Sequence, residues 1–199
     1  GKHIVIFGGG EVASRKAAYF SGEADVLVVS RSFSHKMSIL PVKRRMLDVG
    51  RVPDEVRNGI LDGAFLVVGA LSDPAQNNRI KDLCMARELL FNNADGAPGT
   101  VIFPSVIGGE NYQLAISTRG NSPAVSRFIR EHLESQFPAL DDMIALQRSL
   151  RAQLKQTESS QSRRNAILRE VLQDREIWKI LKTDPAGAYQ QAKERYLHE

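Results

Sequence analysis

The sequence predicts an α/β fold: a parallel sheet covered by helices, then a small strand-bearing segment and a helical carboxyl-terminal region. Three observations point there. Short apolar runs (HIVIF, DVLVVS, AFLVVGA) recur through the first half, separated by helix-compatible or irregular sequence. The first run ends in Gly8-Gly9-Gly10 and passes at once into EVASRKAAYF. From Ser122 onward the pattern is helical.

The elements follow in order. HIVIF (3–7) reads as a strand and EVASRKAAYF (11–20) as a helix, with Val12, Ala13, Ala17 and Phe20 available to one face. DVLVVS (25–30) is a second strand. The stretch from Arg31 to Val52 is irregular, with a strand near Lys43–Leu47, and PDEVRNGIL (53–61) suits a short helix. AFLVVGA (64–70) is the clearest buried strand. A helix spans 72–88, with Ser72 or Asp73 as cap and Pro74 in the first turn, and LLFNN (89–93) closes the series as a strand.

After Asp95 the pattern changes. GAPG is a turn, TVIFPSVI holds one or two short strands, and NYQLAIST (111–118) alternates as a strand. A hairpin across GGEN joins the last two. SPAVSRFIREHLESQF begins a helix with Ser122 as cap and Pro123 behind it. Further helices are expected at 139–156, 162–181 and 185–197, and QTESSQSRRN (156–165) fits either a loop or an exposed helix start. These patterns divide the chain into 1–95, 96–136 and 137–199.

Composition narrows the function classes. At 199 residues, 42% hydrophobic and 25% charged, the chain has the make-up of a soluble globular protein. No apolar run approaches the ~20 residues that cross a bilayer, so no membrane partner is expected. No export leader is visible, and the single cysteine, Cys84, suits a reducing, cytoplasmic compartment, where it reads as a small buried hydrophobe. A net charge of +4 is compatible with an anionic ligand. Basic residues are not clustered with aromatics, so no nucleic acid is expected.

Gly8, Gly10 and Ala13 fit G-x-G-x-x-A directly after a strand and at the start of a helix. Gly8 permits the tight turn, Gly10 lets a pyrophosphate touch the backbone, and Ala13 lets helix and strand pack closely. The free amides and positive end of the helix then hold phosphates. This is a Rossmann-type dinucleotide site, with a ligand-free glycine turn as the plain alternative. The acid usual after the second strand is absent: the place reads Ser30, Arg31, Ser32. Either serine suits a ribose hydroxyl, whereas Arg31 suits a 2′-phosphate or the adenine face. NAD and NADP therefore stay open on these residues.

GGGEVASRK resembles the G-G-G-x-V-A-x-R-K signature of the siroheme-synthase dehydrogenase family, the precorrin-2 dehydrogenases, some of which also act as sirohydrochlorin ferrochelatases. Three more stretches follow in the family's order. VVGALSDPAQNNRI is similar to its A-A-T-D-D-x-x-x-N segment, with Asp73 and Asn77 matching, while Leu71 and Ser72 replace Thr and the first Asp. FNNADGAPGTVIFPS matches N-x-x-D and F-P-[AS] through Asn92, Asp95, Phe103, Pro104 and Ser105. LAISTRGNSPAVSRFIREHLES resembles the S-[ST]-x-G-x-S-P element that leads into an Arg-bearing helix. The likeness runs from Gly8 to about Glu134 and leaves the tail without a diagnostic motif.

The resemblance implies an NAD-binding domain at 1–95, a dimerisation segment at 96–136 and a helical domain at 137–199. It also implies a homodimer, a substrate pair of precorrin-2 and sirohydrochlorin, and loss of a hydride to NAD with protons to base. The expected cofactor contacts are Gly8, Gly10, Glu11, Val12, Ala13, Ser30, Arg31, Ser32, Ala70 and Leu71. Asp95 corresponds to the family's catalytic carboxylate; read by itself, Asp-Gly is also a turn dipeptide. Ser117 and Thr118 correspond to the hydroxyl pair that borders the family's site, with strand-end capping as the competing role, and Arg119 suits a substrate carboxylate. Arg127 and Arg130 suit either substrate carboxylates or a solvated helix face, and Arg15 and Lys16 either steer anions or face water.

No resident metal site is expected, because His3, His35, His132 and His198 are scattered without ligand spacing. Asp141 and Asp142 read as helix-start charges. The alternatives to an NAD-dependent dehydrogenase are an enzyme that also inserts ferrous iron into sirohydrochlorin, or a nucleotide- or tetrapyrrole-sensing module without turnover.

Overall fold

The computed structural model describes residues 1–94 and 99–197, which form two compact units divided between Phe103 and Pro104. The first unit alternates strand and helix: β1 (His3–Phe7), α1 (Glu11–Phe20), β2 (Asp25–Ser30), α2 (His35–Ser38), β3 (Lys43–Met46), α3 (Asp54–Ile60), β4 (Leu66–Gly69), α4 (Pro74–Ala86) and β5 (Leu90–Asn93). The five strands make one parallel sheet in the order β3-β2-β1-β4-β5.

The strands read as nearly unbroken apolar runs because both sheet faces are covered. Val5 and Phe7 of β1, with Val29, Val67 and Phe91, pack against Ile60, Leu61, Ile80 and Cys84. Ile4 and Ile6, with Val26, Val28, Leu66 and Val68, pack against Ala13, Ala17 and Met37 on the other side. Successive side chains on a strand point to opposite faces, so β1, β2 and β4 each contribute to both cores. Outermost β3 differs: Lys43, Arg44, Arg45 and Met46 are all exposed. Arg44 reaches back to the carbonyls of Met37, Ser38 and Leu40, closing the carboxyl end of α2.

The expected strands and helices of this unit are present, with a short extra helix in the region read as irregular. Ser34 explains it, because its hydroxyl accepts the Met37 N–H and caps α2. Of the two candidate caps for α4, Asp73 serves, accepting the Ala75 N–H at 2.9 Å.

The second unit begins with an antiparallel hairpin, β6 (Ser105–Gly108) and β7 (Gln113–Ile116), in which Ser105 faces Ile116. TVIFPSVI thus supplies one strand. Its first residues instead lie along β5, where the Phe91 N–H donates to Thr100 Oγ1 at 2.7 Å and Val101 N–H to Phe91 O at 3.0 Å. Five helices follow: α5 (Pro123–Gln136), α6 (Leu140–Thr157), α7 (Gln161–Gln173), α8 (Arg175–Leu181) and α9 (Pro185–Tyr196). Met143, Leu146 and Leu150 form a buried stripe on α6 and meet Val171, Ile177, Leu181, Ala188 and Ala192.

The stretch expected as a single helix over 162–181 is two helices broken at Asp174, whose backbone is extended. Its carboxylate caps α8 through the Glu176 and Ile177 N–H groups and also accepts from Tyr196 Oη and Arg195. An Asp with that many partners outweighs helix propensity. QTESSQSRRN splits in the same way: α6 runs through Thr157, and α7 starts at Gln161 with Ser160 as its cap. Asp141 stands in the first turn of α6, as expected, and also accepts the Glu110 and Asn111 N–H groups of the hairpin turn. The Asn111 amide leads in holding its carboxyl below the usual range, against desolvation. Among the described residues no helix is long and apolar enough to cross a membrane.

Candidate functional site

The carboxyl ends of β1, β2, β3 and β4 open into one cavity of about 710 Å³. Ligands of parallel α/β sheets gather at this rim, where loops diverge and helix amino termini converge.

The glycine turn forms its floor, and the three glycines do different things. Gly8 has φ +123°, and a Cβ there would run into the Ala70 carbonyl at the end of β4. A Cβ on Gly9 would run into the Ser32 carbonyl after β2. These two positions therefore let neighbouring strand ends close around the turn. Gly10 is unlike them: a Cβ would meet nothing within 4 Å. Its bareness serves no packing need, so the space in front of it is available to a ligand. Gly10 is also the N-cap of α1 and provides no side-chain cap, leaving the first-turn amides directed at that space. Ala13, fully buried, seats α1 against the sheet.

The other predicted cofactor contacts converge on the same cavity. Glu11 and Val12 line it from α1, Ser30, Arg31 and Ser32 from the end of β2, and Ala70 and Leu71 from the end of β4. Glu11 is paired with Lys36 at 2.7 Å. Asn77, buried on α4, accepts the Leu71 N–H at 3.1 Å and donates to Leu71 O at 3.0 Å, fixing that wall. A dinucleotide fits such a cradle: a bare approach at Gly10, free helix amides for a diphosphate, and hydroxyls and a guanidinium one strand away.

The sequence reading missed the segment after β3. Leu47, Asp48, Val49 and Gly50 line the cavity beyond Ser32. Sequence carried a usable signal, since residues that follow a parallel strand lie on the ligand rim whenever the strand adjoins the site.

Asp95 lies outside the described residues, as does His198. Asn92 and Asn93, which precede Asp95, are buried at the end of β5. Ser117, Thr118 and Arg119 belong to the second unit and shape the turn before α5. Thr118 Oγ1 donates to Ser122 O at 3.0 Å and accepts the Ser122 N–H at 3.1 Å. Ser117 Oγ accepts the Arg119 N–H at 3.1 Å, and Arg119 has φ +56°. A non-glycine residue in that region is uncommon and marks a turn held firmly by its surroundings.

The remaining candidate charges divide between surface and interior. Arg127 pairs with Glu131 and Arg130 with Glu134 one helical turn on, exposed ion pairs of the kind that add little to stability. Arg15 is exposed, but Lys16 does not face water: it is half-buried with Nζ 4.3 Å from the centre of the Phe103 ring. Desolvation, then the charge of Arg15, pulls its pKa below the usual lysine value. Among the described residues no three His, Cys, Asp or Glu side chains are grouped to hold a metal ion.

Comparison with known proteins agrees with this geometry. A family model described as putative NAD(P)-binding matches residues 1–105, and one described as sirohaem biosynthesis protein central matches 113–136. A precorrin-2 dehydrogenase of Methanosarcina barkeri is 40% identical over 98% of this chain and 87% of its own. Siroheme synthase 1 of Cronobacter sakazakii is 36% identical over 68% of this chain and 29% of its own, and the siroheme synthase of Sodalis glossinidius is 31% identical over 86% and 36%. The chain thus spans roughly a third of those siroheme synthases. The solved structure of SirC, precorrin-2 dehydrogenase, superposes with a TM-score of 0.68 at 24% identity, covering 98% of this chain and 95% of that one, which shows the shared fold. With an NAD(P)-binding first half and near full-length identity of 40% to its M. barkeri relative, the chain belongs to the precorrin-2 dehydrogenase family.

Proposed function

We propose that the chain is an NAD-dependent precorrin-2 dehydrogenase of siroheme biosynthesis, taking a hydride and a proton from precorrin-2 to give sirohydrochlorin. The observation that carries this reading is the cavity at Gly10, empty of packing partners at the amino end of α1, in a member of this family. NAD, when bound, supplies the hydride acceptor. The α1 amides at Glu11, Val12 and Ala13 hold its diphosphate, aided by the positive helix end. Ser30, Arg31 and Ser32 take the adenosine ribose, and Ala70 and Leu71 flank the nicotinamide half. Asp95, two residues beyond β5 in the chain, accepts the proton, the role the family resemblance gives it. Ser117, Thr118 and Arg119 are assigned to the substrate's carboxylates, which a net charge of +4 also attracts.

The active form is a homodimer built through 96–136, acting in the cytoplasm without nucleic acid or membrane. Support comes from α5, which buries only Ser126 and leaves Phe128 68% exposed beside exposed Val125 and Ile129. An apolar face of that kind is covered in the assembled protein.

The test is anaerobic incubation of the chain with precorrin-2 and NAD or NADP, followed by absorbance. Sirohydrochlorin is expected with NAD, and Asp95→Asn should abolish its formation while retaining NAD binding. Precorrin-2 left unchanged with either nicotinamide removes the reading.

A further inference from the structure

The order of strands across the sheet also orders the chemistry along the cavity. Leu71 follows β4, the glycine turn follows β1, Ser30 and Arg31 end β2, and Asp48 follows outermost β3. A diphosphate on the glycine turn extends its nicotinamide half toward β4 and its adenosine half toward β2 and β3. With the ribose beside Ser30–Ser32, the base reaches the segment after β3. That wall offers two apolar residues, Leu47 and Val49, and between them one charged side chain, Asp48.

Asp48 is available and held in place. Its side chain is 32% exposed, accepting the Gly50 N–H at 3.1 Å and lying 3.4 Å from Arg51 Nε. Two oxygens offer about four acceptor positions, so capacity remains. The loop behind it is pinned, because buried Arg57 donates to the Val49 carbonyl through both Nε and Nη2.

We propose that Asp48 reads the base: its carboxylate accepts a hydrogen bond from the exocyclic 6-amino group of adenine and selects adenine over 6-oxopurine dinucleotides. The inference rests on the dinucleotide reading of the cavity. A 6-oxo group sets acceptor against acceptor, whereas the amino group donates to a charged oxygen.

Calorimetric titration of the whole chain with NAD and with nicotinamide hypoxanthine dinucleotide tests it, together with Asp48→Asn. The parent should bind NAD about tenfold or more tightly than the hypoxanthine analogue. Asp48→Asn keeps an acceptor for Gly50 and can turn its NH₂ toward the 6-oxo group, so its preference should collapse to within about threefold. Equal affinities in the parent overturn the proposal, whether or not the variant folds. So does an unchanged preference in Asp48→Asn, or a change confined to NADP against NAD, which would assign the carboxylate to the ribose. A parent that binds no dinucleotide removes the dinucleotide reading as well.

Discussion

The guanidinium of Arg57, 1% exposed, donates from Nε to the Val49 carbonyl at 2.9 Å and from Nη1 to Asp54 Oδ1 at 2.8 Å. Asp54 in turn receives Arg79 through two bonds of 3.0 Å. A buried cation needs such partners. Here they join α3 and α4 to the loop after β3, so a wall of the cavity is fixed by a residue that does not line it.

Arg57→Leu should therefore act at a distance. It leaves the Val49 carbonyl buried without its donors, at a cost of about 2 kcal/mol, and frees the Asp48–Gly50 wall. Urea denaturation should show the loss of stability, and calorimetry a weaker affinity for NAD. Unchanged affinity in a folded variant would break the link between Arg57 and the cavity.

The glycine turn separates folding from binding. Gly9→Ala drives a methyl group into the Ser32 carbonyl and should destabilise by several kcal/mol, on the order of other overpacked sites. Gly10→Ala meets no protein atom and should cost at most about 1 kcal/mol, mainly as a poorer N-cap. On the proposed reading its methyl group would stand in the diphosphate approach, so NAD affinity should fall about tenfold or more. Thermal melts read beside titrations check both halves.

Asp174 should make the helical region sensitive to acid. Burial favours its neutral form, but bonds from Tyr196, the Glu176 and Ile177 amides and Arg195 outweigh that and hold its carboxyl below the usual range. A depressed folded-state pKa contributes stability that is present above the unfolded value of about 3.9 and is lost as pH falls through the folded value. Asp174→Ala should cost about 2 kcal/mol at neutral pH, through the lost cap and the half-buried Tyr196 hydroxyl left without its acceptor. In Asp174→Asn the decline of stability between about pH 5 and pH 3 should be shallower than in the parent. Parallel declines in urea titrations would contradict the assignment.

Cys84 should be silent. Burial pushes its thiol up to about 12, with Arg87 pulling weakly the other way, and the side chain is fully enclosed between sheet and α4. A disulfide reagent at about pH 8 should label the native protein only slowly and the urea-unfolded protein at once, because the thiolate is the reactive form. Rapid native labelling would show the thiol to be accessible.

The parallel sheet and the dinucleotide cradle were legible because each rests on local chemistry. Apolar runs five residues long, a glycine turn and Pro74 behind Asp73 all declare themselves within a few positions. Features set by distant partners were not. Nothing beside Asp174 in the sequence announces Tyr196 and Arg195, so a broken helix read as a continuous one. Asp141 read as a helix-start charge because its second role, holding the hairpin turn, spans about thirty residues. Asp48 went unnoticed because the signal it carried, a place just after a strand, points to the rim only once β3 is known to pair with β2.

Lys43, Arg44 and Arg45, standing in line on the outermost strand, bear on how copies of this protein meet. An intruding strand that docked there would have to bring its own row of cations against them or find acids to match, so like meets like unfavourably along that border. Fibrous stacking is discouraged along that border, where a bare ladder of amides would otherwise invite it.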